Sequence, residues 1–182
     1  MKKPKAVERS EEGNMKRLLV AVSLLPLFLA GCTYEVETPL PPGVSSIAIP
    51  PFSNQTFEWG VEDTLTRLVI EEFQLRTRLS LEEKDEADLL LEGEITHYLN
   101  ELSTETAAEL EEYRLTMEVV VRLISLPEEE ILWGQSIREA TSYSVSSEGR
   151  EVGIQTEEEA LTETSRKIAQ HLVNLTLEGW ER

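Results

Sequence analysis

Tyr113-Arg114-Leu115-Thr116-Met117-Glu118-Val119-Val120-Val121-Arg122-Leu123-Ile124 is the stretch that decides the fold. Tyr113, Leu115, Met117, Val119, Val121 and Leu123 alternate strictly with Arg114, Thr116, Glu118, Val120, Arg122 and Ile124. A period of two sends successive side chains to opposite faces, so the stretch predicts a long strand with one buried face. Downstream, Leu126-Pro127-Glu128-Glu129 reads as a turn, followed by Ile131-Leu132-Trp133 and, further on, Tyr143-Ser144-Val145. Two antiparallel strands joined by a short proline turn are the reading of that order. Upstream, residues 101–112 are acidic without apolar period and read as an exposed loop or hairpin end. Residues 88–98 read as another strand, with Leu89, Leu91, Gly93, Ile95 and His97 on one side and Leu90 on the other, a pattern suited to a central position.

Helical period brackets this sheet. Val61, Leu65, Leu68, Val69, Phe73, Leu75 and Leu79 recur at helical spacing, with acids in the first turn where the helix dipole favours them. Thr156-Glu157-Glu158-Glu159 has the form of a capping box, and Ala160, Leu161, Thr164, Ile168, Leu172 and Leu175 form one face of a long terminal helix. Residues 81–87 read as charged connector, residues 52–56 as a turn-like polar loop and residues 146–155 as loop. Val44, Ile47 and Ile49 make a short first strand stopped by Pro50-Pro51. The order is βαβββα. It predicts an α+β two-layer sandwich: a four-stranded mixed sheet with two helices packed on one face and the other face open to solvent or a partner.

With 182 residues, 40% hydrophobic and 29% charged, the chain is sized for one domain with a modest core, which excludes wholesale disorder. Its 17 Lys+Arg against 35 Asp+Glu leave a net charge of −18, which repels nucleic acid. One cysteine, Cys32, cannot make an internal disulfide or a cysteine-based zinc site.

That cysteine ends an address. Lys16-Arg17, an apolar run over residues 18–29 and the small residues Ala30-Gly31 make a secretory signal peptide of residues 1–31, too short for a comfortable membrane span. Glu8, Glu11 and Glu12 are foreign to a signal's basic start, so Met15 is the better initiator and residues 1–14 lie upstream of it. Leu29-Ala30-Gly31-Cys32 resembles the bacterial lipobox, which implies cleavage before Cys32, a diacylglycerol on its thiol and an acyl chain on its new amine. Several acyl chains anchor a protein stably where one is marginal. Thr33 stands where an aspartate would hold a lipoprotein at the inner membrane, which favours the outer membrane. Residues 32–43 then form a lipidated, proline-rich tether with Pro39, Pro41 and Pro42, and residues 44–182 the folded domain. Cleavage would take six of the 17 basic and three of the 35 acidic side chains, leaving 11 and 32, a net of −21.

No constellation advertises catalysis. His97 and His171 are the two histidines, one on a strand and one on the late helix, without the convergent partners a metal or catalytic site needs. Ser144, Ser146 and Ser147 lack a nucleophile elbow, and Gly43, Gly60 and Gly93 are isolated rather than a phosphate-binding loop. The expectation is a non-enzyme with no metal and no cofactor beyond the acyl groups on Cys32. Phe52, Phe57, Trp59, Trp133, Tyr143 and Trp180 remain, and aromatic residues serve both as core and as interface anchors. Phe57 and Trp59 are the best partner-binding candidates because they sit in a polar loop between strand and helix.

Several of these stretches together resemble one family. The lipobox and proline-rich tether, residues 40–56 (Leu-Pro-Pro-Gly-Val-Ser-Ser-Ile-Ala-Ile-Pro-Pro-Phe-Ser-Asn-Gln-Thr), residues 86–95 (Glu-Ala-Asp-Leu-Leu-Leu-Glu-Gly-Glu-Ile), the strand from Tyr113, Ile131-Leu132-Trp133 and the terminal helix resemble the lipopolysaccharide-assembly lipoproteins, LptE, in order and spacing. The resemblance implies a two-helix, four-stranded sandwich lodged in an LptD-type outer-membrane β-barrel, helping it fold and deliver lipopolysaccharide to the outer leaflet. It also implies a lipopolysaccharide contact through basic residues. The mature chain expected after cleavage has no basic run, so that contact would be assembled in space from Arg114, Arg122 and Arg138. Residues 51–56 (Pro-Phe-Ser-Asn-Gln-Thr) after a strand also resemble a block of other periplasmic lipoproteins, including activators of peptidoglycan synthases, which implies a second reading: a periplasmic lipoprotein regulating a peptidoglycan synthase or another envelope machine. The tether of residues 33–43 reaches at most about 40 Å at ~3.5 Å per residue, which favours a partner in or next to the membrane.

Overall fold

The computed structural model describes residues 43–106, 110–146 and 156–178. The expected signal peptide, Cys32 and most of the expected tether lie outside the described residues, as do residues 147–155 and Trp180. The elements are β1 (Ser46–Ala48), β2 (Ser53–Asn54), α1 (Val61–Arg76), β3 (Ser80–Leu81), β4 (Leu89–Thr106), β5 (Leu110–Ser125), β6 (Glu130–Ser146) and α2 (Glu157–Glu178). The sheet is mixed. Its order is β3-β1-β4-β5-β6, with β2 also on β4; β1 is parallel to both β3 and β4, β2 is parallel to β4, and β4-β5-β6 form an antiparallel meander.

The α+β class and the two helices stand, but the sheet has six strands where four are expected. Both additions come from segments that read as polar. Ser80–Leu81, at the start of the charged connector, pairs with the outer edge of β1: Ser80 N donates to Ser45 O (2.9 Å) and Glu82 N to Ile47 O (3.1 Å). Ser53–Asn54 pairs with β4 because Pro50 and Pro51 interrupt the chain after β1 and Phe52 brings it back beside β4. Residues 101–106 and 110–112 are strand, not loop; polar side chains at the far end of a hairpin carry no amphipathic signal although the ladder continues through them.

On β5 the alternation holds: Leu115, Met117, Val119, Val121 and Leu123 are fully buried. They join Leu89, Leu91 and Ile95 of β4, Val61, Leu65, Val69 and Phe73 of α1, and Ile168, Ala169, Leu172 and Val173 of α2 in the core. The opposite face of β4 is also sealed at its start, where Leu90 packs with Ala48 and Ala87. A β-bulge between Ile95 and His97 then changes the phase of β4. His97 therefore lies opposite Glu118 on the helix-free face, not with Ile95 as the unbroken alternation implies, and Tyr98 takes the core side opposite Met117.

α1 ends where Thr77 turns back, its amide and hydroxyl both donating to Phe73 O at 3.0 and 2.8 Å. Leu79 is thus buried from an extended segment rather than from the helix, and Leu75, at the margin of the stripe in the last turn, is 79% exposed. α2 opens with the capping box the sequence predicts: Thr156 N donates to Glu159 Oε2 (2.8 Å) and Glu159 N to Thr156 Oγ1 (3.2 Å). It buries more than one stripe, adding Ser165, Ala169, Val173 and Thr176, because it packs on α1 as well as on the sheet.

Two local contacts position the edge. A Cβ on Gly93 would fall inside the Phe52 ring, so only glycine admits this aromatic against β4. Asp88 Oδ2 accepts from the amides and hydroxyls of both Ser45 and Ser46 at 2.8–3.0 Å, stapling the chain where it enters β1. The Ser45 amide, with the hydroxyls beside it, holds the Asp88 carboxyl below its ordinary 3.8. Gly93→Ala should cost about 2 kcal/mol by overpacking, read as a lower denaturant midpoint. Because the Asp88 pKa is depressed on folding, its contribution is present above the ordinary 3.8 and is lost as pH falls through the folded value. Stability measured from pH 6 downward should therefore decline below about pH 4, and Asp88→Asn should lower the plateau and flatten that decline.

Candidate interaction site

β2 ends by handing the chain to a short loop, as Gln55 N donates to Ile95 O (3.0 Å). Asn54 organises that loop. Its Oδ1 accepts from Thr56 N (2.8 Å) and Thr56 Oγ1 (2.7 Å), and its Nδ2 donates to Glu58 O (2.7 Å) and Glu62 Oε2 (2.8 Å). Glu58 N donates to Thr56 Oγ1 (3.3 Å), and Gly60 closes the loop at φ 83°, the left-handed conformation that favours glycine, as the N-cap of α1. One amide side chain thus ties both ends of the loop to the helix start. The loop carries Phe57 at 99% and Trp59 at 92% exposure. Two large aromatic side chains are thus held out of the core on a hydrogen-bonded base.

The other aromatic residues separate from these two. Phe52 and Tyr143 are buried and Trp133 is half-buried. Tyr143 stacks on Tyr113 with centroids 5.6 Å apart, and its hydroxyl accepts from Asn100 Nδ2 (2.7 Å). With Asn100, Thr156 and Glu157 the two rings line a recess of about 370 Å³ beside the start of α2. Nearby, Tyr98 OH donates to Glu157 Oε1 (3.1 Å), and burial with the adjacent Glu157 charge pushes the Tyr98 hydroxyl far above its ordinary value. Tyr98 is therefore a neutral donor at any physiological pH.

Arg114, Arg122 and Arg138 all lie on the helix-free face, opposite Ser142, Gly134 and Glu118 respectively. Eight residues separate Arg114 from Arg122 on β5, about 26 Å at ~3.3 Å per residue, with Arg138 near the midpoint. The three share a face and are spread along it. Arg122 pairs with Glu92 (3.5 Å) and Arg138 with Glu118 (3.2 Å), while among the described residues Arg114 has no ion pair. His97 sits on this face, and His171 on α2 faces Glu139 with Nδ1 to Oε1 at 3.6 Å. Among the described residues no group of three His, Cys, Asp or Glu could hold a metal ion, and no helix is long and apolar enough to cross a membrane.

A polar loop between strand and helix is legible in the sequence; the near-complete exposure of its aromatic pair is not. Sequence reasoning misses the Asn54 base altogether. Its signal is present in Asn54-Gln55-Thr56, an asparagine followed two residues later by a hydroxyl residue, the pattern of a side chain bonding back to the backbone.

Solved structures with TM-scores of 0.52 share the fold. A hypothetical protein from Chlamydia trachomatis is similar at a TM-score of 0.52 and 11% identity, covering 72% of this chain and 94% of that one. A protein from Xanthomonas campestris is similar at 0.52 and 12%, covering 76% and 90%. A minor lipoprotein from Acinetobacter baumannii is similar at 0.45 and 14%, covering 72% and 91%. No curated protein matches the sequence. The lipopolysaccharide-assembly family LptE matches residues 44–176, from the approach to β1 through most of α2. The chain therefore belongs to the lipopolysaccharide-assembly family LptE.

Proposed function

We propose that this chain is an outer-membrane lipoprotein, anchored on the periplasmic face through acyl groups on Cys32, that partners an LptD-type β-barrel in lipopolysaccharide assembly as its folding and plug subunit. The observation that carries the choice of surface is the rigid loop with Phe57 and Trp59 almost wholly exposed, in a domain that belongs to an assembly family. Its role is binding, with no chemical step and no cofactor. The helix-free face supports the same reading: Glu92–Arg122 and Glu118–Arg138 pairs leave it polar and locally balanced, a surface suited to the polar interior of a barrel. Direct contact with lipopolysaccharide phosphates is a narrower part of the proposal. It falls first to Arg114, which lies opposite Glu101 without an ion pair among the described residues, whereas Arg122 and Arg138 are each held in one.

The regulatory alternative, a lipoprotein acting on a peptidoglycan synthase, needs a reach the short tether does not supply. Co-purification of the tagged, lipidated protein from its native envelope separates the two. A stoichiometric barrel is the expected outcome; a peptidoglycan synthase with no barrel would overturn it. Phe57→Ala with Trp59→Ala should reduce barrel recovery at least tenfold at unchanged thermal midpoint, since exposed anchors contribute to binding and little to folding. Asn54→Ala should give a smaller loss of the same kind by loosening the loop. Cys32→Ser should release the chain from membrane pellets, the readout being fractionation of the envelope.

A further inference from the structure

β4 is paired on both sides only over its first half. On the side away from β5, β1 pairs with Leu89 and Leu90, β2 pairs with Glu94 and Ile95, and Gln55 N caps Ile95 O. Beyond Ile95 β4 runs on to Thr106, and among the described residues no strand lies against that side. Bulges at Thr96 and Ser103 bound a regular run, residues 97–102, about 20 Å long. That is the length of a typical strand.

Unpaired edges are ordinarily blunted, and the two edges of this sheet differ. At β6, Lys167 reaches from α2 to donate to Ala140 O (3.1 Å) and Thr141 Oγ1 (3.0 Å), placing a cation at the strand. Residues 97–102 of β4 contain neither lysine nor proline. Leu99 is 39% exposed on the helix-free face and Leu102 42% exposed on the other, so an added strand would meet apolar side chains on both faces. The loop that carries the exposed Phe57 and Trp59 leaves β4 at Ile95, where this run begins.

Charge selects the occupant. The run carries Glu101 and no Lys or Arg, Glu94 lies just before it, and the adjoining loop and helix start add Glu58, Glu62 and Asp63. A second copy would bring the same acids to the contact. We propose that residues 97–102 of β4 form a docking slot for an extended segment of the partner protein with alternating apolar and Lys or Arg side chains. The segment adds to the sheet as the next strand beyond β2, and Phe57 and Trp59 close over its end. Main-chain hydrogen bonds supply affinity, and the acids with Leu99 and Leu102 supply selectivity. The inference rests on the family reading for the nature of the partner and on the open edge for the slot.

Amide hydrogen exchange on the full chain tests it, with two eight-residue probe peptides, one alternating Lys and Val and one alternating Glu and Val. The Lys peptide should slow exchange at alternate amides within residues 97–102 at least tenfold, the Glu peptide should not, and Glu101→Gln should narrow the difference between the two peptides. Binding of the Lys peptide without that slowing overturns the slot, as does equal slowing by both peptides. Slowing in the chain alone as its concentration rises would make the occupant a second copy and overturn it too. Barrel recovery reads the family assignment separately. If the barrel co-purifies while residues 97–102 still exchange fast in the complex, the slot alone fails. If the peptide protects and no barrel is recovered, the partner reading fails and the slot stands.

Discussion

The Phe52 ring lying on the bare backbone of Gly93 is the contact on which the rest of the edge depends. Pro50 and Pro51 force the chain off β4 after β1, because proline offers no amide to the ladder and fixes φ. Phe52 returns it. Its ring enters the core through the gap where β4 has no side chain, and its amide donates to Thr66 Oγ1 of α1 at 3.0 Å. Sheet, helix and loop are thereby joined at one residue. β2 comes directly after it, Asn54 is set beside the helix start, and the aromatic loop inherits its orientation from a packing contact inside the domain.

The sheet divides its chemistry by face. The helix side is an apolar core crossed by a polar link, Thr164 Oγ1 donating to Thr141 Oγ1 at 2.9 Å, where α2 settles on β6. A buried hydroxyl pair of that kind adds register more than energy, since a net hydrogen bond contributes only about 1 kcal/mol. On the other side, carboxylates and arginines meet across neighbouring strands, at Glu92 with Arg122 and Glu118 with Arg138. Exposed pairs such as these contribute little stability. Their effect is to neutralise the middle of that face, so the chain's acidic excess is carried elsewhere, including the loop, the helix starts and the distal part of β4. A partner approaching this domain meets a negative field from those regions, and a basic one is drawn to them.

Which strands are legible in sequence depends on how many faces they bury. β5 is core on one face and solvated on the other, so its alternation is complete and its reading is secure. β1 and the start of β4 are covered on both faces and read as short apolar runs. β2 and β3 bury almost nothing, and polar pairs such as Ser53–Asn54 and Ser80–Leu81 become strands only because a neighbouring edge needs hydrogen-bond partners. The far ends of β4 and β5 are strands for a similar reason, carried on by the ladder past the reach of the core. The bulge at Thr96 belongs to the same class, since a single extra residue leaves no mark on composition but turns His97 away from the core and Tyr98 toward it.

For the site, the sequence by itself carried the pieces: an aromatic pair in a polar loop, Arg114 and Arg122 on one face of an alternating strand, a stretch that resembles a lipobox before proline-rich residues, and a capping box opening the last helix. These depend on local spacing, which is written along the chain. Only the tertiary structure decided that Phe57 and Trp59 are exposed while Phe52 and Tyr143 are not, that Asn54 holds the loop from both sides, that the arginines are dispersed and partly neutralised, and that β4 is left unpaired past Ile95. Each of those is a relation between residues far apart in sequence, and exposure or pairing at such a position is set by what else the fold brings beside it.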